Sequence, residues 1–435
     1  IVMSMGGTGY GVQYAGEYKL KRLDLISSSN GRINLSGLTT EINIFENIFL
    51  NTLTASLMVV DTADLINNIG IQGQEFVEME IETPSLEDFN YVLTFSLYKV
   101  GAREDVNSGG ALYEFSLVTP EFLLNHRRRI SKSYEGNIST IVKDILENPL
   151  YIQTEKKLFI EPTKGIRKIV SPNLHPYTLI KNLATEAQSL KSSSPHYLFF
   201  ENLRGLHFIS LQELYNQPSL GEYKVIHAGQ LKENNTINVD EQLKTVIDYN
   251  ITGNNDTFVN IKSGMLGSTV ITHDIYNKSY SKNTYSYFDD FNKYQRIDAN
   301  PIYDDVKGIG NFTDARLYVN PTSTTTDFQD AQHYGTSATS NQLSETLLHR
   351  QARLAELGSA IKVQMTVHGN TTLVVGQKII FNKPSNSEIE VKVDPYYQGE
   401  FLVTQTRHRF SQVDRRHEII FSAAKDSIPL QKETK

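Results

Sequence analysis

The stretch DTADLINNIGIQGQEFVEMEI, Asp61 to Ile81, lies between two apolar, strand-like runs and decides how the first block of the chain is read. Asp61 precedes a short helical turn around Ala63 to Asn67, where its carboxylate can accept from backbone amides that the turn leaves without partners. Gly70 ends that turn, Ile71 is expected as a buried knob, and Gly73 lets the backbone bend into the next strand. That strand is marked by Phe76, Val77, Met79 and Ile81. No nucleophile stands beside a base here, and no residues have metal-ligand spacing. The stretch therefore reads as a structural joint between strands.

Working outward, the same strand logic holds on both sides. An alternating segment from Tyr18 to Leu25 leads to Asn30-Gly31, a pair suited to a tight reversal. LTTEINIFENIFLNTLTASLMVVD follows, with Ile42 and Ile44 at a period of two. After a reversal at Pro84 to Asp88, YVLTFSLYKVGARED and ALYEFSLV read as a hairpin pair around NSGG. A second run of strands closes the chain: AIKVQMTVHGN, TLVVGQKIIFN, EIEVKVD, GEFLVTQTRHRFS and RRHEIIFSAAKDS.

Helical periodicity is confined to the middle. Asn137 followed by Ile138, Ile141, Val142, Ile145 and Leu146 predicts an amphipathic helix that Pro149 closes. Pro176 opens a second, with Leu179, Ile180, Leu183 and Ala187 on one face. PHYLFFENLRGLHFISL predicts a hairpin turning at Asn202 to Gly205. From Tyr223 to Val270 the pattern predicts loops and short strands, then a strand from Ser268 to Ile275, a polar excursion from Asn300 to Gln342 and a helix over SETLLHRQARLAEL. The fold class expected is mainly β with an α+β middle region: two antiparallel barrel-like domains plus inserted mixed domains. Its segments are 1–120, 121–222, 223–342 and 343–435.

Composition excludes several functions. The 435 residues carry a net charge of -7 and no Cys, which removes disulfides, thiolate metal sites and cysteine nucleophiles. A mildly acidic chain does not hold nucleic acid through a broadly basic surface. Trp is absent while Tyr 23 and Phe 20 supply the large apolar surfaces. No run reaches the ~18 apolar residues of a membrane span, so no stable membrane insertion is expected. The glycine-rich start IVMSMGGTGYGVQYAG lacks the basic region of a signal peptide.

Candidates for chemistry find no partners. GGTGYG near Gly6 has no preceding strand to present it to a phosphate. His196 and His207, across their hairpin, are two ligands where a zinc site takes three or four, and His175, with no partner of suitable type nearby in sequence, reads as a helix-entry hydrogen bond. Asp289 and Asp290 would diverge on a strand, and Glu400 and Asp394 flank a turn without a catalytic partner. The run Arg127 to Arg129 reads as a solvated face or a subunit contact rather than a phosphate site. No cofactor, metal or catalytic residue is expected. The rival reading is a carbohydrate-binding or hydrolytic β-protein, with the tyrosines from Tyr276 to Tyr287 lining a groove.

Four stretches in order carry a resemblance: FENIFLNTLTASLMVVDTADLINNIGIQGQEFVEMEI; HPYTLIKNLATEAQS with HYLFFENLRGLHFISL; GMLGSTVITHDIYNKSYSKNTYSYFDDF; and LVVGQKIIF with YYQGEFLVTQTRHRFS. Together they resemble the central baseplate hub proteins of contractile-tailed phages, which are similar to the N-terminal part of type VI secretion spike proteins. The resemblance implies a homotrimer with two tube domains per chain, matching a hexameric tail tube above and a trimeric spike below. It implies the tail tube or a tube-initiating protein, the spike and other baseplate proteins as partners, and DNA passing through without specific binding. The place implied is the virion tail baseplate, assembled in the host cytoplasm. Asp61, Ile71, Gly73, Gln74 and Glu75 are then the expected assembly contacts. Residues 300–342 match no feature of that family.

Overall fold

The computed structural model describes residues 14–27, 31–62, 64–84, 90–106, 110–225, 239–251, 256–274, 278–303, 312–322, 339–359, 361–383 and 397–429. The glycine cluster near Gly6, the strand expected over EIEVKVD, Tyr276, Asp394 and much of the polar stretch 300–342 lie outside them.

The first block contains eight strands: β1 (Lys19–Ile26), β2 (Arg32–Asn34), β3 (Thr39–Asn47), β4 (Thr54–Asp61), β5 (Phe76–Glu82), β6 (Tyr91–Val100), β7 (Glu104–Val106) and β8 (Gly110–Val118). Period-two burial explains them. On β8 the buried Ala111, Tyr113, Phe115 and Leu117 alternate with residues open to solvent. The strands pair in the order β2-β1-β5-β6-β8-β4-β3, with β7 beside β8. Leu23, Ile44, Leu57, Met79 and Phe95 lie in the core beneath.

The middle block has β9 (Ser133–Gly136), β10 (Leu158–Ile160), β11 (Arg167–Val170), β12 (Tyr197–Asn202) and β13 (Gly205–Ser210). The helix Ile138–Glu147 buries Ile138, Ile141, Val142, Ile145 and Leu146. The helix Pro176–Glu186 buries Leu179, Ile180 and Leu183. All six residues of β12 are buried because its two faces serve two cores. Tyr197 and Phe199 join the helices, while Leu198 and Phe200 join the core of the last block. The hairpin turns at Gly205, whose φ is 142° and where any Cβ would collide with the Lys157 carbonyl.

The remaining strands are β14 (Ser219–Val225), β15 (Thr245–Ile251), β16 (Gly267–Asp274), β17 (Ser279–Ser286), β18 (Leu317–Thr322), β19 (Ile361–His368), β20 (Lys378–Asn382), β21 (Gly399–Ser411) and β22 (Arg416–Lys425). Strands β17-β16-β18 form a small sheet, and Leu348 and Ala352 of the long helix Thr339–Ser359 share its core with Val270 and Tyr285. The other six close on themselves in the order β21-β20-β14-β15-β19-β22, with β22 returning to β21. Ile361, Val363, Met365 and Val367 of β19 fill this barrel.

Two barrel-like antiparallel domains were expected, and one barrel closes. The first sheet stays open because β3 spends its outer edge on β21, while β1 at the other end carries only the short β2. Nor is the closed barrel wholly antiparallel, since β14 runs parallel to both β15 and β20. Of these, β15 lies in the region from Tyr223 to Val270 read as loops and short strands, and β14 reaches into its start. A bulge in β21 between Val403 and Gln405 separates two uses of one strand. Before it β21 borders β20 in the barrel; after it β21 borders β3 of the first sheet.

Packing around His417 tests this seam. Its imidazole stacks on Phe410 with centroids 4.0 Å apart, and it occupies the space that a side chain at position 369 would need. Gly369→Ala is expected to lower stability by about 1–3 kcal/mol through overpacking, measured by urea unfolding. An unchanged midpoint would mean that the seam has slack.

Candidate assembly interface

The turn between β4 and β5 is tied by two carboxylates. Asp61 Oδ2 accepts from the Leu65 amide at 2.7 Å and from the Tyr113 hydroxyl at 2.9 Å, which fixes the short helix Leu65–Ile69 to β8. Glu75 accepts from three consecutive amides, those of Gln72, Gly73 and Gln74, at 2.9, 2.8 and 2.9 Å. A carboxylate reaching back over its own turn satisfies donors that would otherwise face a partly buried site alone. Gly70 and Gly73 have φ of 69° and 82°, the left-handed backbone that lets the chain fold so tightly. Ile71, expected to be buried, is only half-buried because it packs against the first core from the turn's outer side, the helical turn runs from Leu65 and not from Ala63, and Gln74 is exposed. The five residues singled out in the sequence thus form one compact knob. The buried Glu75 also anchors the knob to β6, because its carbonyl accepts from the Leu97 amide at 2.8 Å.

The strongest polar junction was not among them. Glu46, 2% exposed, leaves β3 at the point where three blocks meet. Its Oε1 accepts from the Leu203 amide at 2.7 Å in the middle block. Its Oε2 accepts from the Val375 amide at 3.0 Å and the Thr406 hydroxyl at 2.6 Å, both in the last block. His408 Nε2 stands 3.7 Å away, and its ring shares a 3.2 Å contact with His417. Burial pushes the Glu46 carboxyl up, but His408, Thr406 and the Leu203 amide outweigh it and hold Glu46 below the usual carboxylate range.

A second junction joins the first and middle blocks. Glu201 accepts from the Leu53 amide at 3.1 Å, the Thr119 hydroxyl at 2.9 Å and Lys156 Nζ at 2.6 Å. Lys156 also reaches Glu121 at 2.7 Å. Burial lowers the Lys156 pKa, yet Glu201 and Glu121 more than reverse that. A third network binds the long helix to the barrel. Arg296 meets Glu356 at 2.5 Å, and Arg353 meets Glu356 at 3.2 Å and Asp426 at 2.8 Å, all buried. Such groups hold blocks in register because breaking one leaves an uncompensated buried charge. The sequence signal for Glu46 was a carboxylate inside the apolar run EINIFENIF, though nothing local named its partners.

The candidates for chemistry are structural. His196 Nδ1 contacts Ser194 Oγ at 2.9 Å, and His207 Nε2 contacts Asn202 Oδ1 at 3.0 Å while its ring lies between Phe159 and Phe200. His175 Nδ1 is shared by the carbonyls of Asn125 and Arg128 at 3.0 and 2.9 Å. Asp289 and Asp290, expected on a strand, lie in the helix Tyr287–Asp290, and Glu400 pairs with Lys378 at 2.6 Å. Among the described residues no group of three or more His, Asp or Glu is placed to hold a metal ion, and no helix is long and apolar enough to cross a membrane.

No protein-family model matches the sequence, and no curated protein matches it. Solved structures do. The fold is similar to that of a tail protein from Neisseria meningitidis, with a TM-score of 0.56 and 11% identity, covering 96% of this chain and 98% of that one. It is also similar to the 43 kDa tail protein of prophage MuSo2 from Shewanella oneidensis, with a TM-score of 0.51 and 10% identity over 93% of this chain and 98% of that one. At such identity the likeness is one of fold.

Two outcomes are expected from this geometry. Glu75→Ala strands three amides and Ile71→Asp puts a carboxylate against the first core; each should cost about 1–3 kcal/mol in urea unfolding. An effect near zero for both would show that the knob is not tied as described. The second concerns pH. Burial holds His207 down at about 4 and His417 well below its ordinary value, so both stay neutral when folded. Unfolded histidines take up protons near pH 6.5, so the unfolded state binds more protons and stability falls as pH drops below about 6.5. Glu46 and Asp426, held below the carboxylate range, add a further loss only below about pH 4.5. The urea midpoint should already be lower at about pH 5.5 than at about pH 7.5.

Proposed function

We propose that this chain is a structural, non-enzymatic component of a phage-type tail or a related secretion apparatus, and that it acts there as a baseplate hub. Three copies would form a closed ring that adapts a six-fold tail tube to a three-fold spike and leaves a conduit for DNA. The observation that carries the reading is the likeness to two tail proteins over nearly the full length of each chain. It is supported by a chain built as two sheet units sharing β21, since two units in each of three chains supply a six-fold wall.

The open first sheet would complete its wall on assembly and so supply the second barrel-like unit. Among the described residues no strand covers the outer edge of β1 from Lys19 to Arg22. Phe76, Val92 and Tyr98 on β5 and β6 are 43%, 64% and 52% exposed, apolar surface suited to burial against a neighbour. The knob would be an assembly contact in which Asp61, Gly73 and Glu75 hold the shape, while Ile71 and Gln74 present it. The segments 1–120, 121–222, 223–342 and 343–435 are the proposed division of the chain, with β14 and β15 lent to the closing barrel. The partners are the tail tube or a tube-initiating protein, the trimeric spike and other baseplate proteins, in the virion tail baseplate.

Light scattering of the purified chain should report three copies, and electrophoretic titration with duplex DNA at low salt should give only weak, sequence-independent binding. A stable monomer would remove the ring. Tight, strongly salt-dependent DNA binding by the ring would replace passage with retention.

A further inference from the structure

Strand β6 is paired along only part of its length on one side. Tyr91 to Ser96 lie against β5, but β8 reaches β6 only from Ser96 onward, where Val118 stands opposite. Past Val118 the chain leaves the sheet through Thr119 and enters the helix Pro120–Arg127. Among the described residues, Tyr91 to Phe95 therefore have no strand on the β8 side. They also contain neither the proline nor the charge that commonly blunts an open edge.

The direction of their backbone groups follows from the ladder. The Leu97 amide donates to the Glu75 carbonyl at 2.8 Å, on the β5 side. Antiparallel pairing alternates, and the β5–β6 register runs without a shift from Phe76 opposite Ser96 to Ile81 opposite Tyr91. Phe95, Leu93 and Tyr91 thus bond towards β5 as Leu97 does. Val92 and Thr94 turn their N–H and C=O groups to the open side, where no described residue bonds to them.

A pocket of about 280 Å³ lies beside this edge, with Val92, Thr94, Leu53, Glu121, Glu155 and Lys156 among its lining residues. Its spare charge is negative. The Lys156 ammonium is already held by Glu121 at 2.7 Å and Glu201 at 2.6 Å, whereas the exposed Glu155 has no hydrogen bond or ion pair among the described residues. The volume falls below the ~300–1,000 Å³ of small-molecule pockets, which suits one long side chain and the backbone that carries it. We infer that the pocket takes an extended segment of a protein partner, which pairs its backbone with Val92 and Thr94 and sets an arginine or lysine beside Glu155 and Glu121. Main-chain bonds supply affinity in such strand addition, and the side-chain pocket selects the sequence. The site is built within one chain, apart from the knob, and does not rest on the ring.

The test uses the full chain and a labelled, capped peptide of sequence Thr-Val-Arg-Val-Thr, followed by fluorescence anisotropy at low salt. Saturable binding is expected. A peptide with Glu in place of Arg should bind at least tenfold more weakly, and Glu155→Gln should weaken the Arg peptide about threefold. Urea unfolding of Glu155→Gln should match the parent, since that side chain is exposed and unpaired. Thr94→Pro removes an amide that faces the open edge and none that faces β5, so it should abolish binding. Should that variant fold poorly, the Arg peptide with every amide N-methylated reads the same bonds without altering the protein; it keeps the charge and should lose binding. No saturable binding by the Arg peptide overturns the inference. So does equal binding of the Glu peptide, which removes the charge selection, or of the N-methylated peptide, which removes strand addition.

Discussion

A single carboxylate, Glu46, stands where the first sheet, the middle block and the closed barrel converge. Its oxygens accept from Leu203, Val375 and Thr406, residues 157, 329 and 360 positions away along the chain. Out of water, an ionised carboxylate is tolerated only when its lone pairs are occupied, so these donors are held where Glu46 needs them. The arrangement turns a potential liability into a register pin. Shifting β3 by one residue against β21 would remove Glu46 from its partners and turn Ile42 and Ile44 out of the core.

The long strand β21 carries the consequences outward. Phe401, Leu402 and Val403 belong to the barrel core, and Phe410, beyond the bulge, belongs to the core of the first sheet. One strand therefore fixes the relative placement of two sheets with no linker between them. Around this spine the Glu201–Lys156–Glu121 group and the Arg296, Arg353, Glu356 and Asp426 network fasten the middle block and the long helix. Relative motion of the blocks would expose buried charge, so the chain is built to behave as a rigid part.

Against this rigid interior, the surface divides into distinct regions. The knob from Asp61 to Glu75 is tied by its own carboxylates. The first sheet offers apolar side chains on β5 and β6, and in the middle block Arg127, Arg128 and Arg129 are exposed. These surfaces differ in chemistry.

Much of this was readable from the amino-acid order alone. Period-two alternation marks β3, β8, β19 and β22, and the two middle helices bury the apolar faces that their spacing implied, because periodicity reports directly which face leaves water. Asp61 as an acceptor for the turn's first amide, Gly70 and Gly73 as turn residues, and the lack of thiols are local facts and needed no fold. The tertiary structure alone decided which strands share an edge. Backbone hydrogen bonding between strands is nearly independent of side-chain identity, so nothing in the sequence said that β3 would pair with β21 and leave the first sheet open. Nor did it say that β14, and β15 from a stretch of weak alternation, would complete the barrel. The partners of Glu46 were hidden for the same reason: a buried carboxylate announces that it needs donors, and only the folded chain supplies them from hundreds of residues away.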